Sequence, residues 1–290
     1  LWGTGPDGNY DDKPSPYNAY LREKGYEAEN PWHDYANAGI DDEGNIASGW
    51  IYANAGKPAN IREEDSETPW LTREMISFLE DGAPKRERPW MCHLSYIKPH
   101  WPYIVPAPYH DMYGPNSFLP VTRHEDELAD PNPVYAAFSN NVIGTAFRQD
   151  AVRESALGAY MGLIKQIDDQ MGVLFDYLRD NGQLENTVIA VTSDHGDYMG
   201  DHWLGEKDLF HEPSVKVPLI IYDPSPEADA TRGTVCDALV ESIDLVPTFV
   251  EMAGGAPRDE HLEGLSLLPY LHGKAPECWR NFVVSEYDYS

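Results

Sequence analysis

"VIAVTSDHGDYMGDHWLGEK", residues 188–207, is the stretch that decides the fold. It opens on Val188-Ile189-Ala190-Val191-Thr192, a β-branched run with the composition of a buried strand. The run halts at Asp194-His195-Gly196, and more carboxylates, a second histidine and Lys207 follow at once. Neighbouring residues inside a strand point to opposite faces. Asp194 and His195 can therefore meet one ion only where the strand has broken, and Gly196 permits the break. In a parallel α/β sheet ligands gather beyond the carboxyl ends of the strands. A carboxylate beside a neutral imidazole in that place makes half of a metal site. The plainer alternative is that Asp194 caps the next segment while His195 packs beneath it.

Outward from this stretch, strands alternate with helices. Residues 150–181 place Leu157, Tyr160, Met161, Ile164, Ile167, Met171, Leu174 and Leu178 on one helical face. "SVKVPLIIYDP" (214–224) predicts a strand, and "VCDALVESIDLVPTFVEMAGG" (235–255) a helix ending in glycines. "TPWLTREMISFLEDG" (68–82) predicts a helix that starts at a Thr68 cap before Pro69 and stops at Gly82. "PWMCHLSYIKPHWPY" (89–103) begins as an apolar strand that the prolines after Lys98 must end. The pattern implies an α/β fold with a largely parallel sheet covered on both faces. Residues 1–68 are rich in Gly, Pro, Asn and Asp and predict long loops around short elements, with the α/β core portion over 69–290.

Lys207 lies thirteen residues after Asp194 in a polar, glycine-rich loop. An ammonium beside a metal is repelled by about 4 kcal/mol at 4 Å unless an anion lies between them. Lys207 therefore suits a non-bridging oxygen of a phosphoryl or sulfuryl group, the alternative being a solvated surface charge. His100 ends the other apolar run between two prolines, where it can protonate a leaving oxygen or hold a transferring one. A structural histidine is the alternative. Lys98, two residues earlier, can fall on either side of the break.

The chain has 290 residues, 41% of them hydrophobic, with 21 Lys and Arg against 49 Asp and Glu for a net charge of −28. No run approaches the roughly 20 apolar residues of a membrane span. The acidity disfavours nucleic acid and anionic membranes as partners and is compatible with a small anionic substrate whose pocket supplies local positive charge. A homo-oligomer is equally compatible with this composition. Cys92, Cys236 and Cys278 are too few and too scattered for a disulfide framework or a zinc cluster. They are expected as small buried residues of a cytoplasmic protein.

The segments "HLSYIKPHWPY", "SDHGDYMGDHWLGEK", "SVKVPLIIYDP", "SIDLVPTF" and "LEGLSLLPYL" together resemble, in order and spacing, the sulfatase branch of the alkaline phosphatase superfamily. Within it the "APYHDMY" and "SEYDY" stretches look most like the phosphonate monoester hydrolases, also called phosphodiesterases. The resemblance implies an alkaline-phosphatase-like, mostly parallel sheet flanked by helices, and one divalent metal ion (Mn, Ca or Mg). It implies that Asp194 and His195 are metal ligands and that Lys207 and His100 hold the transferring group and assist the leaving group. Asp197, Asp201 and His202 match as loop-shaping residues. The family's nucleophile is a formylglycine made from the cysteine of a C-x-P-S-R motif, and none of the three cysteines has that context. Asp11-Asp12 and Asp41-Asp42 follow no apolar strand and are not read as the remaining ligands. The expectation is an incomplete domain whose N-terminal nucleophile segment and C-terminal continuation lie outside these residues, and a fragment inactive on its own. The rival readings are a conventional arylsulfatase-type sulfatase and a non-catalytic homologue.

Overall fold

A computed structural model describes residues 15–82, 89–258 and 261–286, which fall into two units. The first runs to Tyr177 and includes Asp197–Lys207; the second comprises Leu178–Gly196 and the chain from Asp208 onward. Asp11-Asp12 and the end of the "SEYDY" stretch lie outside the described residues.

The first unit begins with α1 (Pro16–Glu23), whose Ser15 side chain accepts the Asn18 N–H at 3.0 Å. Strands β1 (Ala38–Ile40) and β2 (Ile46–Ser48) form an antiparallel hairpin. Asp41 serves its turn, accepting the Glu43 and Asn45 N–H groups at 3.0 and 2.7 Å. Helix α2 (Glu67–Ser77) has its cap two residues before the expected Thr68: the extended residue is Ser66, and Thr68 is buried inside the first turn. Pro69 tolerates this because the N–H it lacks has no helical partner so near the N-terminus.

The apolar segment before Lys98, expected as a strand, joins no ladder with any described residue. A strand exists only by pairing, and here Met91 is 74% exposed with nothing described to cover it. Cys92, Cys236 and Cys278 are likewise exposed, not buried. The preference of a free thiol for the interior is not realised at any of them.

After the short helices α3 (Asp126–Ala129), α4 (Pro133–Ser139) and α5 (Val142–Phe147) comes α6 (Asp150–Asp180). In its first half the buried residues Ala156, Ala159, Leu163 and Gln166 lie about one residue around from the expected face, where Ile164 is 45% exposed, while Leu157 and Tyr160 pack partly buried on the core and Leu174 and Leu178 are buried as expected. Small residues cause the rotation. A Cβ on Gly158 would lie 2.8 Å from the Tyr113 carbonyl oxygen, and one on Gly162 2.4 Å from that of Tyr109, so the glycine side is where the backbones touch. Tyr103, Val105, Tyr109, Phe147 and Met199 complete this core.

In the second unit β3 (Ile189–Thr192) pairs with β4 (Leu219–Tyr222), from Ile189 opposite Tyr222 to Thr192 opposite Leu219. Both ladders among the described residues are antiparallel, where alternation predicts mostly parallel pairing. Between β3 and β4 the only helical segments are the turn Asp201–Trp203 and the four-residue α7 (Glu212–Val215), too little for the helical crossover that parallel neighbours need. Helices α8 (Leu245–Met252) and α9 (Leu268–Leu271) follow. Asp244, fully buried, organises this end. It accepts the N–H groups of Glu241 and Leu265 at 2.8 and 2.7 Å and both terminal nitrogens of Arg280 at 2.8 and 2.6 Å.

Candidate active site

In the second unit the chain breaks after Thr192, as the sequence requires. The Ser193 hydroxyl donates to the His195 carbonyl at 2.7 Å, and the Asp194 carboxylate accepts the His195 N–H at 3.0 Å. His195 Nδ1 lies 2.8 Å from the Gly196 carbonyl oxygen. A carbonyl can only accept, so Nδ1 carries the proton and Nε2 of the neutral ring keeps its lone pair. That lone-pair nitrogen is 3.7 Å from Asp194 Oδ2, on a carboxylate whose side chain is 86% exposed. This is the tautomer and second donor that a divalent ion takes. No third His, Cys, Asp or Glu joins them among the described residues, so the pair fits part of a metal site. Gly196 must be glycine here, since its Cβ would lie 1.9 Å from the Pro213 carbonyl oxygen.

The first unit brings His100 and Lys207 together. The His100 N–H donates to the Ile97 carbonyl at 3.0 Å, closing the turn that the prolines begin. His100 Nδ1 is 2.7 Å from the Trp101 carbonyl oxygen, which fixes the proton on Nδ1 and turns Nε2 outward as an acceptor. Lys207 Nζ lies 2.5 Å from that Nε2. The two residues are 107 positions apart in sequence.

Lys98 is not part of this pair. It is buried, and its ammonium donates to Asn37 Oδ1 at 2.9 Å and to the Pro102 carbonyl at 2.8 Å. Burial pushes its pKa down to about 8 against the opposing pull of Glu67, whose own carboxyl burial raises to about 7.

The segment from Asp197 to Lys207 is held in an uncommon backbone. Met199, His202, Trp203 and Glu206 all have positive φ, between 48° and 59°. Asp197 accepts the Met199 N–H at 3.1 Å and the Tyr103 hydroxyl at 2.6 Å, and burial raises its carboxyl to about 6. Asp201 accepts the Thr122 N–H at 2.8 Å. His202 Nδ1 meets Glu127 Oε1 at 2.7 Å, while its carbonyl accepts the Tyr135 hydroxyl at 2.6 Å. Each of these three residues shapes the loop that presents Lys207.

Sequence reasoning missed Tyr52, Tyr103 and Glu206. The Tyr52 hydroxyl donates to Glu206 and the Tyr103 hydroxyl to Asp197, across 154 and 94 positions. No local signal marks such pairs; the only sequence cue is the density of tyrosine and tryptophan over residues 50–52 and 101–103.

The sulfatase family model matches residues 14–256. The chain is 34% identical over 246 residues to the multifunctional alkaline phosphatase superfamily protein PehA of Trinickia caryophylli, covering 80% of this chain and 46% of that protein. It is 30% identical over 253 residues to an arylsulfatase of Clostridium perfringens, covering 87% of this chain and 50% of the relative. Among solved structures it is similar to a phosphonate monoester hydrolase of Silicibacter pomeroyi, with a TM-score of 0.77 and 30% identity over 91% of this chain and 51% of that one. The chain thus spans about half the length of the relatives it matches. Its fold is α/β, of the alkaline-phosphatase-like type, and incomplete by comparison with theirs.

Proposed function

This chain belongs to the sulfatase family, and from that premise we propose that the protein hydrolyses phosphonate monoesters, phosphodiesters or sulfate esters at a metal-dependent site built partly from these residues. The observation that carries the reading is the contact of Lys207 with His100, with the His100 tautomer fixed by the Trp101 carbonyl. An ammonium resting against an imidazole acceptor has a ready substitute partner, an oxyanion. A tetrahedral ester that enters between them takes the Lys207 N–H bonds on a non-bridging oxygen, a charge-assisted interaction contributing roughly 1.5–3 kcal/mol. His100 holds its Nδ1 proton on the Trp101 carbonyl and accepts at Nε2. A proton taken up at Nε2 from solvent makes the imidazolium, which then donates that proton to the departing alcohol oxygen and returns to the neutral ring.

Asp194 and His195 would hold a divalent ion, with the further donors and a formylglycine nucleophile coming from outside these 290 residues. When bound, the ion supplies Lewis-acid polarisation of the ester and acidifies the attacking hydroxyl. The similarity to the phosphonate monoester hydrolase favours phosphonate and phosphodiester substrates. The similarity to the arylsulfatase supports sulfate esters as a second reading. Exposed, unbridged cysteines fit a cytoplasmic location.

The test is turnover of aryl phosphonates, phosphodiesters and aryl sulfates by the full-length protein and by its Lys207→Ala variant. A fall in kcat/KM of roughly 10- to 150-fold is expected, equivalent to the lost charge-assisted bond. Undiminished turnover in the variant would remove Lys207 from the mechanism, and the relative rates on the three esters decide between the two substrate readings.

A further inference from the structure

One side chain touches the flanks of both residues in the His100–Lys207 pair. The Tyr52 hydroxyl donates to the carboxylate of Glu206, the residue before Lys207. The Tyr52 ring stacks on Trp101, the residue after His100, with centroids 5.4 Å apart and planes at 29°. Tyr52 is itself fixed from behind, with the Phe147 ring edge-on at 5.6 Å and Tyr103 at 6.4 Å. Phe147 and Tyr103 belong to the fully buried core.

Glu206 has little freedom of its own. Its φ is +56°, a conformation uncommon for a residue with a side chain, and its carbonyl accepts the Tyr198 N–H at 2.8 Å. With the carboxylate bound by a phenol and the carbonyl bound by the loop, the backbone entering Lys207 is set from two directions. Burial, the Glu206 bond and the nearby charges of Glu206 and Asp197 raise the Tyr52 pKa, so the phenol remains a donor throughout the working pH range. At the other end of the loop Tyr103 binds Asp197 in the same manner, at 2.6 Å. The Lys207 segment is therefore tied at both ends to one aromatic cluster, and Tyr52 is the member of that cluster that also contacts the His100 side.

We propose that Tyr52 is a positioning residue for ester hydrolysis, fixing the Lys207 ammonium relative to His100 through Glu206 on one side and Trp101 on the other. The inference rests on the reading of His100 and Lys207 as the groups that hold the ester. Tyr52 touches neither substrate nor reacting atoms in this account. Its effect is geometric, because a lysine on a loop has a long flexible stem and delivers its charge accurately only if its own backbone is fixed.

The test is a double-mutant cycle in the full-length enzyme, with Tyr52→Phe, Lys207→Ala and the pair combined. Melting temperature establishes that each variant is folded. Tyr52→Phe keeps the stacking ring and loses the bond to Glu206. It is expected to lower kcat roughly ten- to a hundredfold, the scale of a misplaced catalytic group, with KM changed by less than about twofold. In the Lys207→Ala background the same substitution is expected to have no further effect, because the group it positions is gone. Glu206→Gln weakens the bond from the other partner and is expected to show the same dependence on Lys207, which keeps the test available if Tyr52→Phe folds poorly. Tyr52→Phe turnover within about twofold of wild type, or an equal fall in both backgrounds, would overturn the proposal. A Lys207→Ala enzyme as fast as wild type would instead overturn the assignment of Lys207, and the role of Tyr52 with it.

Discussion

Asp244→Ala is expected to cost the protein about 3 kcal/mol of stability, and the figure follows from the bonds the carboxylate makes. Four donors converge on it: the N–H groups of Glu241 and Leu265 and two nitrogens of Arg280, at 2.6–2.8 Å. Hydrogen bonds to a charged group contribute about 1.5–3 kcal/mol each, but four on one carboxylate share partners and do not add. The better bound is the cost of removing one member of a buried ion pair, about 3–5 kcal/mol. Arg280, 11% exposed, keeps a second partner in Glu241 Oε2 at 2.7 Å, which places the loss at the lower end of that range. The substitution also frees the N–H of Leu265 and one N–H at the start of the turn Ser242–Asp244. Urea unfolding of the full-length protein, followed by circular dichroism, measures the change. Repeating it with Arg280→Met and with both substitutions isolates the pair, for which a coupling of at least about 1 kcal/mol is expected. An Asp244→Ala change below about 1 kcal/mol, or strictly additive single effects, would refute the account of this carboxylate as the organising centre of its unit.

Asp65→Asn should destabilise at neutral pH and converge on wild type in acid. Burial alone would raise the Asp65 pKa, but bonds from Tyr20, Tyr26 and Arg62 outweigh it and hold the carboxyl below its ordinary value. A depressed folded pKa gives stability that is full above the unfolded value near 4 and is lost as pH falls through the folded value. Melting temperatures from pH 7 to pH 2 check this, and a constant gap between the two proteins would contradict it. Gly196→Ala should destabilise by roughly 1–3 kcal/mol, since the backbone must yield to a Cβ placed 1.9 Å from the Pro213 oxygen; an unchanged unfolding midpoint would count against that close approach. Asp194→Ala in the full-length protein should weaken Mn²⁺ binding by at least roughly tenfold, read by calorimetry, and unaltered affinity would remove Asp194 from the metal site.

Much of the architecture was legible where the information is local. Helix α6 takes the predicted residues because a 3.6-residue apolar period extends over many turns. The face it buries was legible in part: Leu174 and Leu178 are buried as the period predicts, whereas near Gly158 and Gly162 close backbone contact turns the buried side toward Ala159 and Leu163. The β3 and β4 runs formed strands, but their direction depends on the connection between them and is invisible in either run alone. The apolar residues before Lys98 show the same limit, since a strand-like composition creates no partner. His100 and Lys207 were singled out through the residues flanking them, and the structure places the two in contact, which supports the proposed site. Tyr52, Tyr103 and Glu206 were not, because an aromatic hydroxyl announces nothing about a carboxylate 94 or 154 positions away. Asp244 illustrates the converse. It lies in the "SIDLVPTF" stretch that helped suggest the family, and its structural work is packing and capping, not chemistry.

The left-handed backbone of Met199, His202, Trp203 and Glu206 has an evolutionary consequence. Side chains in that region cost on the order of 1 kcal/mol each, and glycine or asparagine would relieve most of it. Selection for thermal endurance alone would therefore rewrite this loop first. An engineer screening for robustness should expect hits there, and should expect them to erode turnover.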